Sequence, residues 1–145
     1  MARDPLRILL SVRRRSVEQA RYALGTCLAA EAAVANKITS LDDAAARDRK
    51  TANAWLDSHH YKEMAATRLA AAHAERQAIL AELAAAEDRS AQARRVVAAD
   101  RAAAEAVEQL LQERETAAQA EANRRDQHTL DDIARFAVQR RHGSA

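Results

Sequence analysis

His59 and Glu63 stand four positions apart, a spacing that lets two side chains on one helix face share a metal ion. A protein zinc site takes at least three protein ligands, and no third one accompanies this pair. His60, the next residue, points to a different side of the same helix. Cys27 is the single cysteine, so it can form neither an internal disulfide nor a multi-cysteine metal motif. Its place in the apolar pattern described below is that of a small buried hydrophobe. Arg13-Arg14-Arg15 could meet phosphates, because clustered arginine is the electrostatic footprint of nucleic-acid binders. No base-reading element lies beside the run, and a solvated charged face is the plainer reading. There is no glycine-rich loop to cradle a nucleotide. An enzyme needs a concave, water-excluding site. The residue pattern therefore predicts no catalytic residue, no cofactor, no metal and no nucleic-acid partner.

The elements that would carry these residues are set by composition. Ala, Arg, Leu, Glu and Lys account for 39, 20, 13, 11 and 3 of the 145 residues, a bias typical of coiled coils and long helices. With two glycines, one proline and one phenylalanine, the chain lacks the turn formers and aromatic strands of a sheet protein. Leu, Ile, Val and Phe are too few for a thick core, but the filler is alanine, the best helix former. The expected fold class is all-α. No early apolar run has the length of a secretory signal, and no stretch approaches the ~18 apolar residues of a membrane span. A cytoplasmic protein without membrane insertion is the expectation. The formal charge of +2 is unevenly spread, with arginine gathered at both ends of the chain and a mildly acidic middle.

A helix start is encoded at once, since Asp4 can cap and Pro5 suits the first helical position. From Leu6 (d) and Leu10 (a) a heptad seam runs through Arg13, Val17, Ala20, Leu24, Cys27, Glu31, Val34, Ile38, Leu41, Ala45, Asp48 and Ala52 to Trp55. Twelve of these fifteen positions are apolar against 48% for the chain, which marks a genuine 3.5-residue repeat. Gly25 lies off the seam. Ser40-Leu41-Asp42-Asp43 imitates a capping box but sits inside the unbroken repeat. Asn53 to His60 is the best turn, with Asp57 or Ser58 capping a second helix and Trp55 and Tyr61 flanking the tip as a staple. A second seam runs Leu69, Ala72, Arg76, Ile79, Leu83, Ala86, Ser90, Ala93, Val97, Asp100, Ala104, Val107, Leu111, Arg114, Ala118, and then stops.

The two seams predict a long antiparallel two-helix coiled-coil hairpin with the C-terminal helix overhanging. It is read as a single unit over 1–145, with helix 1 over about 4–57, the tip at about 57–60 and helix 2 over about 60–141. A tip near residue 59 sets Leu6 opposite about residue 112. The paired part is then about 80 Å long at ~1.5 Å per residue, with an overhang of about 35 Å over 119–142. A two-helix rod of this kind is expected to offer no cavity. In the overhang Leu130, Ile133, Ala134 and Ala137 follow i, i+3, i+4, i+7, one stripe of a helix with Phe136 beside it. An apolar stripe flanked by arginine reads as a docking surface.

Asn123-Arg124-Arg125-Asp126-Gln127-His128-Thr129-Leu130-Asp131-Asp132-Ile133-Ala134 resembles the C-terminal N-R-x-D-Q-K-x-M-D-E-x-A signature of the flagellar export protein FliJ family. Asn123, Arg124, Asp126, Gln127, Asp131 and Ala134 match; Leu130 and Asp132 replace similar residues, and His128 stands where the family usually has lysine. The start Leu6, Leu9, Leu10, Arg13, Glu18, Ala20 is similar to the family's leucine-then-charge opening. The resemblance implies a stalk of the type III export ATPase complex, working in bacterial flagellum biogenesis. It implies insertion into a hexameric export ATPase, with the ATPase regulator, the cytoplasmic domain of the export gate membrane protein and export chaperones as further partners. The location implied is cytoplasmic, peripheral at the inner face of the cell membrane. Carried onto this chain, the ATPase-facing end comprises Arg13, Arg14, Arg124, Arg125, Asp126, Gln127 and Asp131. The equivalent stalk of a virulence-type injectisome and a generic coiled-coil adaptor are the alternatives. A protein lying on anionic membrane through its arginine-flanked stripe is a third class.

Overall fold

The computed structural model describes residues 4–54 and 59–142. Two long helices, α1 (Pro5–Ala54) and α2 (His59–His142), pack against each other, and there is no strand among the described residues. The expected tip, with Trp55, Asp57 and Ser58, lies outside the described residues, as do the side chains of His59 and His60. The start of α1 is built as its sequence dictates. Asp4 Oδ1 accepts the Leu6 N–H at 3.0 Å, and Asp4 O accepts the amides of Arg7 and Ile8 at 3.1 and 3.2 Å. Pro5 therefore takes the one early position where a missing N–H costs nothing. Gly25 sits within α1 with no positive φ, and a methyl placed on it would meet nothing within 4 Å. The Ser40–Asp43 sequence does not interrupt the helix.

Contacts divide the chain into two units, Arg15–Arg101 and Met1–Arg14 with Ala102–Ala145. In the larger unit the core is Val17, Ala20 and Val34 of α1 against Ala86, Ser90 and Val97 of α2. Its cross-helix bonds are Ser16 Oγ to Asp100 (3.0 Å), Lys37 to Glu82 (3.2 Å) and Arg76 to Asp42 (2.9 Å). Partner numbers fall on α2 as they rise on α1, so these segments run antiparallel. In the second unit Ala104 and Val107 are buried, with Leu6, Leu10 and Leu111 half-buried around them. Asp4 pairs with Arg114 (3.6 Å), Arg7 with Glu115 (3.2 Å) and Arg14 with Glu108 (2.7 Å). This too is antiparallel, in the register that sets Leu6 opposite about residue 112.

Only small side chains are fully covered. Two helices meeting along one line form a contact one side chain deep, which encloses Ala, Val or Ser but leaves each described leucine partly wet. On the first seam every described position except Arg13 and Asp48 is buried or half-buried. On the second the exceptions are Leu69, Arg114 and Ala118. The buried seam thus ends at Leu111 and not at 118: Asp4 and Arg7 still reach Arg114 and Glu115 through ion pairs, but among the described residues nothing of α1 covers α2 beyond Leu111. Two polar atoms on the seams, Glu31 Oε2 and Ser90 Oγ, are shielded with no hydrogen-bond partner.

Candidate functional site

From Gln112 to Arg140 every described side chain of α2 is exposed. The docking stripe lies in this segment. Leu130 and Ile133 are 65% and 60% exposed, Ala134 and Ala137 are exposed beside them, and Phe136 reaches 64%. Val138, 53% exposed, continues the same face one step further, at i+8 from Leu130. The spacing that revealed the first four residues applies equally to Val138, which completes the stripe.

The charged residues fall into two places, not one. Arg14 donates from Nε (3.2 Å) and Nη2 (2.7 Å) to Glu108, which fixes its level along α2. Glu108 and Arg124 are sixteen positions apart, roughly 24 Å of helix at ~1.5 Å per residue. Arg13 and Arg14 therefore do not join Arg124, Arg125, Asp126, Gln127 and Asp131 in one cluster. The physical reason is that α1 starts at Pro5 and leaves the 123–134 segment as a single helix. Within each place the arginines differ. Arg7 and Arg14 are matched to glutamates of α2, and Arg125 to Glu121 one turn earlier on its own helix. Arg13 and Arg124 are exposed and form no ion pair among the described residues. Sequence alone could not make this distinction, because it depends on which α2 residue stands across the seam.

The other chemical candidates are placed as follows. Cys27 is half-buried on the α1 seam. Among the described residues no three His, Cys, Asp or Glu side chains come together as metal ligands. Arg76 grips Asp42 through Nε and Nη2, at 2.9 and 3.4 Å. That hydrogen bond, then the carboxylate's charge, raises the guanidinium pKa further above its already high value. An arginine so held is charged at every physiological pH, so the pair braces the helix contact and is no proton switch. Against the expectation of a cavity-free rod, a gap of about 140 Å³ opens between the helices. Ala45 and Ala52 face Ala65 and Ala72 there, and four methyl groups are too short to close the space; Arg49, Arg68 and Tyr61 stand at its walls. Among the described residues no helix is long and apolar enough to cross a membrane. No family model, no curated protein and no solved structure matches this chain.

Proposed function

We propose that this chain is a non-enzymatic stalk of a flagellar-type protein export ATPase complex. The observation that carries the reading is the state of residues 123–134. The segment that resembles the family signature lies in the part of α2 that no other described residue of its unit covers, with its apolar stripe and charges all exposed. A coupling stalk needs such an end: a stiff helix whose docking face is free until the ring receives it. In this reading Leu130, Ile133, Ala134, Ala137 and Val138 enter the hexameric ATPase. Arg13 and Arg124, which form no ion pair among the described residues, steer the insertion, since exposed charge at an interface mainly orients and accelerates encounter. The other partners are the ATPase regulator, the export gate's cytoplasmic domain and export chaperones. The protein works in the cytoplasm, held peripherally at the inner face of the membrane through the apparatus.

The test is stimulation of the cognate export ATPase by the purified chain. Wild type is expected to stimulate hydrolysis and to co-purify with the enzyme. The double charge reversal Arg13→Glu, Arg124→Glu is expected to abolish stimulation with helicity unchanged, because both side chains are exposed. Full stimulation by that variant would sink the proposal. Tight binding to an injectisome ATPase, with none to a flagellar one, would move the same stalk to the other machine.

A further inference from the structure

The gap between the helices near the end of α1 is where the seam opens. Leu69 of α2 is a seam residue, yet it is 40% exposed, and Met64 is 45% exposed. Both line the gap of about 140 Å³, whose floor is the methyl groups of Ala45, Ala52, Ala65 and Ala72. A second gap of about 130 Å³ adjoins it on the side of Leu41 and shares Ala45, Arg49, Leu69 and Ala72 with it. The apolar space therefore runs along the helix axes. Leu41 and Arg49 are eight positions apart, roughly 12 Å at ~1.5 Å per residue. Methyl groups offer water no hydrogen bond, and an apolar cavity of about 150 Å³ is large enough to take up benzene.

Charge around this space favours an anion. Seven positions beyond Asp42 meets seven before Arg76, so the register that pairs those two sets Arg49 level with Leu69, next to Arg68. Arg49 and Arg68 both line the gap, both are exposed, and neither forms an ion pair among the described residues. Asp48 is the one acid among the described lining residues of the first gap. Asp42, the acid of the second, is held by Arg76, and His73 adds no negative charge there. Two unmatched guanidinium groups against one carboxylate leave the space net positive. We propose that it binds a single-chain amphipathic anion, an alkyl carboxylate of medium length. The carboxylate lies between Arg49 and Arg68 in charge-assisted hydrogen bonds. The chain runs over the alanine methyls toward Leu41 and covers Leu69. A contact one side chain deep admits one such chain and not the two of a phospholipid. All of these residues belong to the unit Arg15–Arg101, and none is among those assigned to the ATPase, so the site stands apart from the stalk reading.

Isothermal titration calorimetry of the full chain with hexanoate, octanoate, decanoate and dodecanoate, each below its micelle-forming concentration, tests this. Affinity is expected to rise by roughly fourfold per added methylene and to level off once the space is filled. Arg49→Gln with Arg68→Gln is expected to weaken decanoate binding about tenfold or more, while 1-decanol, which carries no charge, binds both forms alike. Ala45→Leu with Ala72→Leu fills the space and is expected to abolish binding of both, with helicity by circular dichroism unchanged. No binding by any member of the series overturns the proposal. So does a filled variant that binds as wild type does, an affinity that climbs without levelling, or a decanoate affinity that the arginine changes leave intact. Vesicles of anionic phospholipid are the second probe, and wild type is expected to stay in the supernatant. Sedimentation of wild type and filled variant alike with those vesicles overturns the proposal in favour of a lipid surface.

Discussion

Replacing Ser90 by alanine should stabilise the larger unit. Ser90 is 0% exposed, and its Oγ has no hydrogen-bond partner. A helical serine ordinarily bonds the carbonyl one turn earlier or points to water, and here it does neither. Leaving a buried hydroxyl unmade costs about 1–3 kcal/mol. Alanine removes that cost and adds about 0.5 kcal/mol of helix propensity. Against this stands the space left by one oxygen atom, about 0.4 kcal/mol at ~24 cal/mol per Å³. The net expectation is a gain of about 1–3 kcal/mol. For a unit of this size, at about 4–8 °C per kcal/mol, that raises the midpoint of thermal unfolding by roughly 5–20 °C. Thermal and urea melts followed by far-ultraviolet circular dichroism measure it directly. Ser90→Val serves as the comparison, because it exchanges the hydroxyl for a methyl and adds a second methyl with no free volume at a fully covered site, and should destabilise. A Ser90→Ala midpoint below that of wild type would refute the reasoning, since it would mean that the hydroxyl holds a bond the packing depends on.

Gly25→Ala should stabilise α1 by about 1 kcal/mol, since the glycine uses no special backbone angle and the added methyl enters open space. An unchanged or lower melting midpoint would contradict this. The Arg14–Glu108 pair, with side chains 66% and 46% exposed, should show a coupling of only about 0.2–1 kcal/mol in a double-mutant cycle with alanine, shrinking as salt is added. A coupling that survives high salt would mean the pair is better shielded than its exposure indicates. Charge reversal at Arg13 and Arg124 should remove ATPase stimulation without loss of helicity.

The helical class, the cap at Asp4 and Pro5, and both seams were legible in residue order. A helix has a fixed period, and covered positions recur every three or four residues whatever the partner is. The stripe at Leu130, Ile133, Ala134 and Ala137 was legible for the same reason, and Val138 needed only one more step of that period. The end of the seam was less legible. Arg114 and Ala118 continue the heptad in sequence, yet their exposure depends on where the other helix begins. The gap near Ala45 and Ala72 was hidden too, because an alanine at a seam position reads as apolar without saying whether its neighbours reach across.

Residue order by itself determined the local matters: that the chain is helical, where α1 starts, and which face of each helix turns inward. These depend on propensity, capping and periodicity, all of them short-range along the chain. Tertiary structure alone decided which charges are spent and which are free. Arg7 and Arg14 meet glutamates more than ninety positions away, while Arg13 and Arg124 meet no acidic partner among the described residues. It also decided that the ion pairs Arg7–Glu115 and Arg14–Glu108 lie on one flank of the seam and Lys37–Glu82 on the other. Such pairings join residues far apart in sequence, and no local rule can assign them before the register between the helices is set.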